Sequence, residues 1–132
     1  MANRVYTRRA PKPIGPYSQA VKTGNFLFIS GQIGLDPITG KLVEGGIQEQ
    51  SRRVLENLKA IIEEAGFSME DVVWVLVFLR DINQYKEFNE VYTQFFKDPP
   101  ARALVEVSAL PGGALVEVTA IAFKGSEISQ IS

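Results

Sequence analysis

Arg102 and Glu117 are charges set into otherwise apolar ribbons, Pro100-Ala101-Arg102-Ala103-Leu104-Val105-Glu106-Val107 and Gly113-Ala114-Leu115-Val116-Glu117-Val118-Thr119-Ala120-Ile121-Ala122. Both ribbons read as strands. Strand side chains alternate faces, so Arg102, Leu104 and Glu106 share one face of the first, and Leu115, Glu117, Thr119 and Ile121 share one face of the second. A guanidinium in a sheet needs an anionic partner, and its planar fork suits a carboxylate held by two parallel hydrogen bonds. Two partners fit at this stage: a carboxylate-bearing ligand, or a structural ion pair with Glu106 or Glu117.

The chain contains no Cys and no His. Disulfides, an ordinary zinc site, Ser-His-Asp or Cys-His nucleophiles and a histidine acid or base are therefore excluded. Asp, Glu, Lys, Tyr and bound water remain as proton carriers, and no metal or organic cofactor is implied. With 14 basic and 15 acidic side chains, the whole-chain field gives no pull toward nucleic acid or an anionic membrane. Arg4, Arg8, Arg9 and Lys12 leave room for a weak RNA contact, but the lack of histidine argues against efficient ribonuclease chemistry. No apolar run follows those cations, so residues 1–16 do not read as a secretory signal, and the apolar run 72–79 is too short to span a membrane. The expectation is a soluble cytoplasmic protein.

The elements that must position Arg102 and Glu117 can be read from pattern. The 132 residues, 45% apolar and 22% charged, suit one domain spanning 1–132, with an N-terminal extension of about residues 1–12. A short strand at 5–7 precedes a Pro- and Gly-punctuated connection. Residues 17–22, Thr23-Gly24-Asn25 and 26–33 then read as strand, tight turn, strand. Residues 34–46 form a Gly-rich loop without phosphate-loop spacing. From 47 to 65 the positions Ile47, Val54, Leu55, Leu58, Ile61, Ile62 and Ala65 follow a helical period, and Gly66 supplies the stop. Residues 72–79 predict a buried strand. A second helix, capped by Asp81 or Asn83, is predicted to run to about Phe96, with Tyr85, Phe88, Tyr92, Phe95 and Phe96 as a core stripe, before Pro99-Pro100 ends it.

The order β-β-β-α-β-α-β-β predicts an α+β domain in which two helices cover one face of a mixed sheet. Residues 26–33 and 72–79 are apolar on both faces, a pattern of sheets buried on both sides. Two helices cannot cover two faces. Packing against further copies of the chain follows, with a ligand site at the subunit boundary.

Six blocks in order carry a family resemblance: Ile14-Gly15-Pro16-Tyr17-Ser18-Gln19-Ala20, Phe28-Ile29-Ser30-Gly31-Gln32-Ile33, Asn57-Leu58-Lys59-Ala60-Ile61, Asn89-Glu90-Val91-Tyr92, Pro100-Ala101-Arg102 and Val116-Glu117-Val118. Over residues 10–124 the chain resembles the Rid, or YjgF-like, family. The nearest type is the reactive intermediate deaminase that hydrolyses 2-iminopropanoate and 2-iminobutanoate to 2-oxo acids and ammonia. The resemblance implies a chorismate-mutase-like protomer assembled as a homotrimer, with clefts between neighbouring subunits. It implies Arg102 on the substrate carboxylate and Glu117 on the hydrolytic water, both catalytic. It also implies that Tyr17, Ser30, Gly31 and Asn89 line or support the cleft, with the Gly31 amide available to the substrate. Each of these four has an ordinary alternative: Tyr17 as a strand aromatic, Ser30 and Gly31 as a bulge, Asn89 bonding a nearby loop.

Two departures stand out. Leu104 occupies a position where many deaminase members carry cysteine, and the segment 96–100 is shorter than in many relatives. Imine hydrolysis needs no thiolate, so Leu104 bears on cleft shape, and the short segment bears on substrate range. Desolvation of Glu117 among Leu104, Val116 and Ile121 would raise its pKa and let it trade protons near neutrality. The substrate would then lie between Arg102 and Glu117. The competing reading is a non-catalytic oligomer that captures 2-oxo acids or other small carboxylates.

Overall fold

The structure, a computed structural model, describes residues 2–125. Six strands and two helices follow the predicted order: β1 (Asn3–Val5), β2 (Ala20–Thr23), β3 (Phe26–Gln32), α1 (Ile47–Glu64), β4 (Val72–Leu79), α2 (Tyr85–Tyr92), β5 (Ala101–Glu106) and β6 (Val116–Phe123). They build one sheet in the order β1-β2-β3-β6-β4-β5. Among the described strands only the β4–β5 pair is parallel, because α2 carries the chain back across the sheet between them. The two charged ribbons are therefore consecutive in sequence but not neighbours, with β4 between them.

One face carries the core. Leu27, Ile29, Val75, Val77, Leu79, Val116, Val118 and Ala120 are buried beneath Val54, Leu55, Leu58, Ile61 and Ile62 of α1 and Phe88 and Val91 of α2. Gly66 closes α1 at φ +85°, with its own amide donating to Glu63 O and the Phe67 amide donating to Ile62 O. Nothing among the described residues covers the opposite face. Phe26, Phe28, Trp74 and Phe123 remain 37–46% exposed there, beside the half-buried Leu76, Phe78 and Ile121.

Three boundaries differ from the sequence pattern. The first strand is Asn3–Val5, paired with β2, rather than 5–7: the Thr7 amide donates to Gln19 Oε1 (2.7 Å) instead of to a ladder. The second begins only at Ala20, because Pro11, Pro13 and Pro16, with Gly15 at φ +133°, keep the preceding segment out of the sheet. Helix α2 starts after a one-turn 3-10 helix (Ile82–Gln84), where Asp81 accepts from the Asn83 amide, and ends at Tyr92 rather than near Phe96. Beyond it, tight turn bonds from the Gln94 amide to Val91 O and from the Phe95 amide to Tyr92 O bring Phe96 against Tyr92, with ring centroids 4.7 Å apart. Of the predicted stripe, Phe88, Tyr92 and Phe96 are buried, whereas Tyr85 is half exposed.

Candidate active site

A β-bulge creates the centre of the site. Ile29 pairs with Ala120 and Gln32 with Val118, so β3 holds one residue more than β6 between these pairs, and Ser30-Gly31 swell out of the ladder. Ser30 and Gly31 thus form the bulge of the ordinary alternative, placed next to Glu117. A Cβ on Gly31 would land on the Glu117 carboxylate, with Glu117 Cδ only 2.9 Å from that position. Only glycine permits this approach.

Glu117 lies on the uncovered sheet face, where its cross-strand partner is Phe78. Burial pushes its carboxyl above the ordinary value of 4.5, as expected from sequence, though two of the three expected neighbours face the other way. Leu104 and Val116 belong to the helix-covered face, Leu104 through its pairing with Val77. No cation pairs with Glu117 among the described residues.

Around Glu117 opens a cleft of about 950 Å³ lined by Ile14, Tyr17, Ser30 and Gly31, with Lys12 and Lys41 contributing cations. Ser30 Oγ donates to Ser18 O (2.6 Å), which leaves the oxygen's lone pairs as its remaining capacity. Tyr17 is half exposed, and its hydroxyl accepts from the Ile14 amide at 3.4 Å, so the phenolic proton is not used by that bond.

Arg102 stands elsewhere. It pairs with Val75 and therefore projects on the helix-covered face, at the edge strand, whereas Glu117 pairs with Phe78 on the other face. Its Nη1 donates to Asn89 Oδ1 (2.8 Å), and the guanidinium lies over the rings of Tyr92 (4.8 Å) and Phe88 (5.9 Å). No carboxylate meets it among the described residues. Glu106, the alternative partner, accepts instead from the Ile82 amide (2.8 Å). Within one protomer the structure thus gathers Tyr17, Ser30, Gly31 and Glu117 into one cleft and Arg102 with Asn89 into a separate cluster. Strand register puts Arg102 and Glu117 of one chain on opposite faces of the sheet.

Three positioning residues escaped the sequence reading. Buried Gln19 donates from Nε2 to Thr7 O (3.0 Å) and Pro11 O (3.0 Å), tying down the segment that leads to Tyr17. Buried Asn57 donates from Nδ2 to Ile33 O (3.3 Å) and Leu35 O (3.0 Å), fixing the strand exit beside the bulge. Gln50 Oε1 accepts from the Leu115 amide (2.9 Å), just before β6. The available signal was two amides on the core side of α1, at positions 50 and 57, two turns apart.

A one-sided α+β sheet with a glycine-flanked acid in an open cleft and an unneutralised arginine on its edge strand defines the class. The model of the endoribonuclease L-PSP family matches residues 7–124. A RutC family protein of Pyrococcus abyssi is 57% identical over 91% of this chain and 95% of its own length. Human 2-iminobutanoate/2-iminopropanoate deaminase is 46% identical over 92% of this chain and 89% of its own. A crystal structure of a Thermotoga maritima protein shares 53% identity, covers 96% of this chain and 100% of its own, and superposes with a TM-score of 0.93. The chain belongs to the Rid (endoribonuclease L-PSP) family.

Proposed function

We propose that the protein hydrolyses 2-imino acids, such as 2-iminopropanoate and 2-iminobutanoate, to 2-oxo acids and ammonia, in homotrimers whose sites join the Glu117 cleft of one subunit to Arg102 of its neighbour. The observation that carries this reading is the Glu117 carboxyl: half-buried, uncompensated, raised in pKa and pressed against a glycine at the floor of a cleft. The name of the human relative supports the substrate class. The uncovered sheet face supports assembly, and the separation of Arg102 from Glu117 requires a second copy if both serve one substrate.

The chemistry asks little of the protein beyond placement and one proton carrier. Arg102 of the neighbour grips the substrate carboxylate with two parallel hydrogen bonds. Glu117 accepts a proton from water as the oxygen bonds to the protonated C=N carbon, giving a carbinolamine. It returns that proton to nitrogen, and collapse to the C=O group breaks the C–N bond, releasing ammonia; the hydroxyl proton passes to Glu117 or solvent. Gly31 keeps the carboxylate close to the sheet, and Tyr17 and Ser30 shape the cleft wall.

The test generates 2-imino acids in situ with an amino-acid oxidase or dehydratase and traps them with semicarbazide. The protein is expected to suppress the adduct, and Arg102→Ala is expected to abolish both suppression and 2-oxo acid binding. Undiminished adduct with intact 2-oxo acid binding would leave a capture protein instead of an enzyme.

A further inference from the structure

We propose that Tyr92 is a positioning residue for Arg102: with Asn89 it presents the guanidinium fork in one orientation before a carboxylate arrives. This rests on the reading of Arg102 as the carboxylate holder. Asn89 and Tyr92 are three residues apart on α2, and Phe88 lies one turn before Tyr92, so all three side chains look to the same side of the helix. Arg102 on β5 enters the cradle they make. Asn89 Oδ1 takes one of its five N–H donors at 2.8 Å, and the Tyr92 ring lies 4.8 Å from the guanidinium carbon.

That ring is itself immobilised. Tyr92 is 5% exposed and packed between Phe88, at 5.5 Å, and Phe96, at 4.7 Å. An aromatic face strips water from one side of the guanidinium and attracts its charge while leaving the N–H edges unused. Asn89 then fixes rotation about the stacking axis. A fork with both its plane and its rotation set loses little freedom when it forms paired bonds to a carboxylate. A phenylalanine would pack in this place without the cost of a polar atom, yet the buried Tyr92 hydroxyl has no hydrogen-bond partner among the described residues. The ring face under the guanidinium carries the assignment, and Tyr92→Phe separates it from the hydroxyl, which lies close to Arg102. Burial raises the phenol pKa, while the charge of Arg102 and the approach of its N–H groups to the phenol oxygen oppose the rise, in keeping with the closeness of the two groups.

A double-mutant cycle on the full-length protein, read by calorimetric titration with 2-oxobutanoate and by hydrolysis rates, tests the assignment. Tyr92→Phe should bind within about threefold of the parent, whereas Tyr92→Leu should weaken binding and raise KM by about tenfold, with kcat within about threefold. In an Arg102→Lys background, which has no planar fork to orient, Tyr92→Leu should weaken binding no further. Multiplying effects, or loss confined to kcat, would overturn the positioning role. If Arg102→Lys and Arg102→Ala both bind 2-oxobutanoate normally, the carboxylate assignment itself fails, a separate outcome. Should Tyr92→Leu not fold, the Arg102 Nε–H resonance of the unsubstituted protein decides: a ring-current shift and slow Nε–Cζ rotation support the role, and an unshifted, freely rotating group refutes it.

Discussion

Gly31 and Glu117 form a couple whose tolerance of substitution is set by a single close approach. A methyl at position 31 meets the carboxylate, the far end of a flexible side chain, so Gly31→Ala shifts Glu117 at little cost to the fold. We expect the melting temperature to stay within about 5 °C of the parent while turnover falls about a hundredfold, the scale of losing a general acid or base. A melt and a trapping assay on one preparation check this. Glu117→Gln should reduce turnover similarly but keep 2-oxo acid affinity within several-fold. Because burial raises the Glu117 pKa above 4.5, the folded state holds its proton more tightly than the unfolded state does. Stability is therefore lost as pH rises from the unfolded value through the folded one, and the penalty persists above that window. Glu117→Gln carries no such penalty, so its melting temperature relative to the parent should be higher at about pH 8 than at about pH 4. Parallel melting curves would remove the desolvation argument.

At the scale of elements, α1 does more than roof the sheet. Its core side carries Gln50 and Asn57 among aliphatic residues, and each reaches the backbone of a segment that frames the cleft. Asn57→Leu fills the space but strands the Leu35 carbonyl, while Ile33 O keeps only the Leu35 amide (2.8 Å), so we expect a loss of about 1–3 kcal/mol in urea unfolding, with faster amide exchange around residues 33–35. Helical period made α1 legible from sequence to within a residue, and both-sided apolarity made β4 legible outright. Local pattern also carried the shared face of Arg102 with Leu104 and the raised pKa of Glu117. What it could not carry was the relation between the two strands. Alternation sets faces within a strand, whereas the face of β5 relative to β6 depends on the pairing of each with β4, a non-local register. The end of α2 was missed for a related reason: tight turn bonds after Tyr92 continue the aromatic spacing without continuing the helix.

For the whole molecule, the uncovered face and the proposed division of the site pose one question. Phe26, Phe28, Trp74 and Phe123 form an apolar expanse of the kind a soluble chain covers with a partner. Phe28 lines no part of the cleft, so Phe28→Glu should yield monomers by light scattering and abolish hydrolysis while preserving far-ultraviolet dichroism; an active monomer would refute the divided site. The sharper test mixes two inactive proteins. In the proposed cyclic trimer each cleft would take Glu117 from one subunit and Arg102 from the next, through a head-to-tail contact. Arg102→Ala and Glu117→Gln subunits, unfolded together in equal amounts and refolded, assemble at random. A cleft is intact when an Arg102→Ala subunit supplies Glu117 and a Glu117→Gln subunit supplies Arg102, which random assembly gives at about one cleft in four. Hydrolysis should return to about a quarter of the parent value, from two preparations that separately show almost none. If both residues acted within one chain, every cleft in the mixture would lack one of them, and no activity would return.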